Sequence, residues 1–137
     1  MQLTQFTDLG LRIVMRLATD PAGSGGPSTR AVAEQLAVSY THATKVVARL
    51  SELGVVTTRL GRTASVGWLT RQLEGDGEVV TCEGDKPCPL RRGCRLRSSL
   101  RVAQDAFYTA LDAMTVRDLA APTPTTMLPV PDSPAVT

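Results

Sequence analysis

Apolar residues return every three or four positions at the start of the chain. Leu3, Phe6, Leu9, Ile13, Val14 and Leu17 share one face, which predicts an amphipathic helix over residues 3–18. It ends before a Gly/Pro-rich loop, Pro21 to Pro27, that suits neither helix nor strand. Ser28 is placed to cap a short helix through Ala37, with Val32, Ala33 and Leu36 inward. Ser39 is placed to cap another from Tyr40 to Leu53, which Gly54 stops. The latter carries Ala43, Val46, Val47, Leu50 and Leu53 on one face, and the tight Ala37-Val38-Ser39 turn joins the two as a helix-turn-helix. A short strand is predicted at Val55 to Thr58.

Ser65 opens a further predicted helix that buries Val66, Trp68 or Leu69, and Leu73; Trp68 is assigned to the core. Gly75 and Gly77 then release an irregular stretch. Beyond it, Leu96, Leu100, Ala103, Phe107, Ala110 and Met114 form a seam suited to a long helix packed against a partner helix, which predicts a homodimer. Thr115 to Asp118 is expected to cap one last turn, and five prolines after Ala121 predict a disordered tail. The chain thus divides into a DNA-binding region (1–77), a cysteine loop (78–97), a dimerisation helix with a final turn (98–120) and a tail (121–137).

Composition narrows the class. Only five aromatic residues occur among plentiful Leu, Val and Ala, so the expected fold is mostly α rather than a β sandwich. A net charge of +2 decides little, but from Met1 to Arg62 seven Lys or Arg face four acids, which points that half toward an anionic partner. No signal peptide or long apolar segment is legible, so the expected location is cytoplasmic, with no membrane partner. No nucleophile-base pair, phosphate loop or paired-carboxylate cleft is visible either, and an enzyme is not expected.

The chemistry lies in three cysteines, Cys82, Cys88 and Cys94, set five residues apart in a stretch broken by Gly84, Pro87, Pro89 and Gly93. Such a loop can wrap its sulfurs around an object instead of lining them on one face, and Arg91, Arg92, Arg95 and Arg97 can offset thiolate charge. The odd count excludes a fully paired disulfide framework. Structural zinc normally takes four ligands at shorter spacings, so an iron-sulfur cluster is the expected occupant, with zinc or inert thiols as the alternatives. On the second helix of the helix-turn-helix, Tyr40, Thr41, His42, Lys45 and Arg49 are placed to meet bases and phosphates of double-stranded DNA. Ser28, Arg30, Ser39, Arg59 and Arg62 complete the candidate DNA-contacting set.

The order of these parts is more telling than any one of them. Leu3-Thr4-x-Phe6-Thr7-Asp8-x-x-Leu11-Arg12 is followed by Tyr40-Thr41-His42-Ala43-x-Lys45 and by Ser65-Val66-Gly67-Trp68-Leu69. Then comes Cys82-Glu83-Gly84-Asp85-x-Pro87-Cys88-Pro89-Leu90-Arg91-x-x-Cys94-Arg95-Leu96. From Met1 to Ala120 this closely resembles the nitric-oxide-sensing repressors of a bacterial winged-helix iron-sulfur regulator family, which also contains the cluster-assembly regulators. The resemblance implies a homodimer on a palindromic operator, with a cluster, 4Fe-4S before 2Fe-2S, whose nitrosylation lowers operator affinity. It also implies that Asp8 ligates the cluster of the other subunit, with Arg12 beside it as a supporting partner. From the residues alone, Asp8 and Arg12 read as a surface ion pair, and Glu83, Asp85 and His42 are rival fourth ligands. The cluster-assembly regulators use a histidine three residues after the third cysteine, where this chain has Arg97. A regulator sensing cluster status or redox state, or an electron-transfer protein without a regulatory role, is the alternative. In the family a basic hairpin, the wing, follows the strand after the recognition helix; here Arg59 runs at once into Leu60 to Ala64, so the wing is expected to be shortened or missing.

Overall fold

The computed structural model describes residues 1–21, 24–56 and 59–121. Seven helices follow in order: α1 (Gln5–Ala18), α2 (Thr29–Gln35), α3 (Tyr40–Glu52), α4 (Arg59–Thr63), α5 (Val66–Glu74), α6 (Arg95–Asp112) and α7 (Val116–Ala120). Hydroxyl side chains start most of them. Thr4, Ser28, Ser39 and Ser65 each accept a backbone N–H three residues on, from Thr7, Ala31, His42 and Trp68, at 3.1–3.2 Å. Caps of this kind contribute about 1 kcal/mol apiece. Thr115 and Asp118 form a reciprocal capping box at the start of α7.

Leu9, Ile13 and Val14 of α1 meet Val32 of α2, Val46 and Leu50 of α3, Leu69 and Leu73 of α5 and Val116 of α7 in one apolar core. The chain thus closes on itself. Val66 N–H donates to the Met114 carbonyl (2.9 Å) and Val116 N–H to the Ala64 carbonyl (3.1 Å), an antiparallel bridge that returns the end of the chain to the start of α5. Between these anchors α6 leaves the core and packs along α5. Along it Leu96 is 64% exposed, Leu100 and Phe107 are half-buried, and Ala103 and Ala110 are exposed.

Several expectations need correction. The helix beginning after Ser28 stops at Gln35, because Ala37 takes a left-handed conformation (φ 55°) that turns the chain into α3. The strand predicted from Val55 does not form at Val55 or Val56; residues 57 and 58 lie outside the described residues. Val55 is occupied otherwise: its N–H donates to the Leu50 carbonyl (3.1 Å) while Gly54, at φ 73°, donates to Ser51 (3.0 Å), so both close the end of α3. Val55 then turns into the core at 5% exposure. In the space for a wing stands α4, whose Gly61 approaches so closely that a Cβ there would lie 2.0 Å from the Val55 carbonyl oxygen. Among the described residues no strand is present beyond the single bridge. Trp68 is not a core residue: with Val66, Leu69 and Leu73 turned inward, it points outward at 38% exposure. The predicted tail falls almost wholly on residues 122–137, outside the described residues.

Candidate functional site: a helix-turn-helix face and a cysteine loop

The left-handed Ala37 turn sets α2 and α3 as a helix-turn-helix, leaving the amino-terminal part of α3 on the surface. The Arg30 guanidinium of α2 lies 4.4 Å above the ring of Tyr40, which is 46% exposed, so a cation and an aromatic ring stand together where the two helices meet. Thr41 and Lys45 are exposed beside them and His42 is half-buried. Ser28 and Ser39 serve as helix caps at the same edge. Arg49 pairs with Glu52 (3.2 Å) and also donates to the Gln72 carbonyl of α5 (3.4 Å), so it is turned toward the protein body. Arg62 donates to the Asp20 carbonyl beyond the end of α1. Arg59 opens α4, and its side chain lies outside the described residues.

The cysteine loop hangs between Gly75, which ends α5 at φ 82°, and Cys94, which caps α6. Cys82 is buried, and Cys88 and Cys94 are partly exposed. A turn links the first two, with Cys88 N–H donating to the Cys82 carbonyl (3.0 Å), and Gly93 adopts φ 77° just before Cys94. The Cys94 sulfur accepts the Arg97 N–H at 3.5 Å, at the amino terminus of α6. Two acids temper the arginines: Glu78, which the sequence pattern does not single out, and Glu83, expected there only as a rival ligand. Glu78 binds Arg97 at 2.9 Å and also Arg101, and Glu83 binds Arg97 (3.3 Å) and Arg91 (3.5 Å). The Arg101 hydrogen bond first, and that of Arg97 second, hold the Glu78 carboxyl below the usual carboxylate range. These arginine-carboxylate pairs link residues 8 to 23 positions apart, so no local pattern announces them.

Asp8 stands exposed in the first turn of α1, where Arg12 holds both of its oxygens at 2.9–3.0 Å. Of its rivals, Glu83 is engaged by two arginines, Asp85 is exposed at the loop tip and His42 lies on α3. Among the described residues no three Cys, His, Asp or Glu side chains meet closely enough to hold a single metal ion. A cluster makes no such demand, since each thiolate takes its own iron. The donor set fits one: three thiols on a loop with little regular structure, one of them at a helix amino terminus, with cationic side chains around them.

Among the described residues no helix is long and apolar enough to cross a membrane. The family model described as Rrf2, iron-dependent transcriptional regulator, matches residues 3–122. The chain is 55% identical over 147 aligned positions to the HTH-type transcriptional repressor NsrR of Streptomyces coelicolor, covering 98% of this chain and 99% of that one. Since this chain has 137 residues, the relative carries at least ten that have no counterpart here. It is 34% identical over 132 positions to the HTH-type transcriptional regulator NsrR of Shouchella clausii, covering 87% of this chain and 88% of that one. Solved structures of CymR share the fold. That of Staphylococcus aureus has a TM-score of 0.68 at 21% identity, with 89% of this chain and all of that chain covered. That of the B. subtilis global cysteine regulator has a TM-score of 0.63 at 26% identity, with 90% and 99% covered. With the helix-turn-helix in place and its relatives transcriptional repressors and regulators, the chain belongs to the Rrf2 family and is a DNA-binding transcriptional regulator.

Proposed function

We propose that this regulator is a homodimeric repressor that holds a palindromic operator through α3 and releases it when nitric oxide reaches an iron-sulfur cluster in the cysteine loop. The observation that carries the reading is Cys94. It is at once the last of three evenly spaced thiols and the cap of α6, the helix with the exposed apolar seam. One residue therefore joins the cysteine chemistry to the element best suited to meet a second copy. The motif resemblance and the 55% identity to a repressor support it.

In this reading Cys82, Cys88 and Cys94 hold the cluster, 4Fe-4S rather than 2Fe-2S, and Asp8 of the partner subunit supplies the fourth ligand. A cluster bound there offers nitric oxide one iron whose oxygen ligand is weaker than thiolate. The protein's own part is mechanical. Arg12 orients the Asp8 carboxylate, Leu96, Leu100, Ala103, Phe107 and Ala110 bring two copies of α6 together, and Tyr40, Thr41, Lys45 and Arg30 meet the DNA. Were Asp8 no longer to hold the cysteine loop of the other subunit, the DNA-binding region would be free of that loop, which would change the spacing of the two α3 helices.

The test is the visible absorption spectrum of anaerobically purified protein, with iron and sulfide assayed before and after stepwise nitric oxide. Affinity is followed for a DNA fragment selected from a random pool. A chromophore that nitric oxide alters together with a fall in affinity is the expected result. A colourless protein that cannot be reconstituted would reduce the loop to a zinc or structural site. Unchanged nitric-oxide response in Asp8→Ala would remove Asp8 from the ligand set.

A further inference from the structure

Sequence pattern puts Arg49 on the polar side of the recognition helix, among the DNA contacts. Its guanidinium goes elsewhere. Beyond the pair with Glu52, it donates to the carbonyl of Gln72, 23 positions later, at 3.4 Å. Gln72 lies in the last turn of α5, where the final carbonyls have no intrahelical donor. A cation there meets both an unfilled acceptor and the negative end of the helix. Arg49 thus caps α5 from outside. Two residues after Glu74 closes that helix the chain is already in the irregular segment leading to Cys82, having left through Gly75 at φ 82°.

The next residue back grips the other side. Arg71 lies 4.4 Å above the Tyr108 ring and 3.5 Å from Asp105, both on α6. The last turn of α5 is therefore held by α3 through Gln72 and by α6 through Arg71, and from that same turn the cysteine loop departs.

We propose that Arg49 is a positioning residue and not a phosphate ligand: it fixes α3 to the root of the cysteine loop, and a change in the loop reaches the recognition helix through this bond. The proposal rests on the reading of the cysteine loop as the seat of control.

The test is operator affinity of wild-type and Arg49→Met protein across a salt series, each with its cluster and after anaerobic chelation, with amide hydrogen exchange of the DNA-free proteins alongside. A residue on phosphate contributes about one unit to the slope of log affinity against log salt, and Lys45→Ala, the control, should lose that unit. Arg49→Met should keep the wild-type slope, shrink the ratio between cluster-bearing and cluster-free affinity by about tenfold, and speed exchange across residues 73–77. Loss of a unit of slope overturns the proposal, and so do slope, ratio and exchange that all match wild type. Should the Met variant not fold, exchange is read on Arg49→Gln, which removes the charge and shortens the reach to Gln72, and there unchanged amides across residues 73–77 overturn it. A wild type that binds DNA equally with and without its cluster defeats control by the loop itself. Faster exchange with an unaltered slope would then still support the anchor, while the relay would fall.

Discussion

Gly67 lies against the backbone of Tyr108 so tightly that a Cβ would stand 2.2 Å from the Tyr108 carbonyl oxygen and 2.3 Å from Asp112 Oδ1. The obstacle is in part backbone, so no rotamer change removes it. Gly67→Ala is expected to push α5 and α6 apart at a cost of about 1–3 kcal/mol, as overpacked sites do. Urea unfolding followed by circular dichroism checks this; an unchanged midpoint would mean that α6 is not seated on α5 as described.

Ala37 offers the opposite case. It is the one described residue other than glycine with positive φ, at 55°, and a Cβ in that region costs roughly 1–2 kcal/mol. Glycine removes the clash but widens the unfolded ensemble by about 0.5–1 kcal/mol. Ala37→Gly should therefore leave a small net gain, read as a melting temperature raised by a few degrees with operator binding retained. A lower melting temperature would contradict the left-handed turn.

Two substitutions at Cys94 separate its two duties. Cys94→Ser keeps a good helix cap and removes the thiolate, so iron and sulfide per protomer should fall sharply while cluster-free stability holds. Cys94→Ala loses the cap as well and should cost the cluster-free protein about 1 kcal/mol more. Equal melting curves for the two cluster-free variants would show that the sulfur does not cap α6.

How far could this have been read in advance? Helix starts were legible because capping is local: Ser28, Ser39, Ser65 and Thr115 each bond a backbone N–H three residues away. The cysteine loop was legible because glycine and proline mark it. The facing of α5 was not. Val66, Trp68 and Leu69 are all apolar, and the choice among them depends on how α1 and α6 pack, where Gly10 admits Leu73 and Gly67 admits Tyr108. Arg49 and Arg62 looked like surface cations for a related reason, since the carbonyls of Gln72 and Asp20 that receive them are 23 and 42 positions away. The apolar run from Val55 predicts a strand, but the end of α3 takes the Val55 N–H, a demand set by the Leu50 carbonyl and invisible in the run itself.

The capping box of α7 gives a pH dependence. Hydrogen bonds first from the Thr115 backbone N–H and then from its hydroxyl hold the Asp118 carboxyl below the usual aspartate value. Since the folded protein binds this proton less tightly than the unfolded chain does, the contribution is complete above the ordinary aspartate range. It is lost as pH falls through the depressed folded value. Asp118→Asn should lower stability at neutral pH and flatten the acid limb of a pH-stability curve, with the two proteins converging at the most acidic pH that still allows folding. Parallel curves would place the acid sensitivity elsewhere.

Val116 also sets the order in which the protein can be completed during synthesis. Its side chain, fully buried, fills a core that begins at Leu9 and Ile13, and its N–H is tied to Ala64. As the chain leaves the ribosome, that core cannot close until nearly the whole described chain has emerged. By then all three cysteines are already outside. A DNA-binding unit that closes only behind its own cysteine loop has no mature state that precedes the loop.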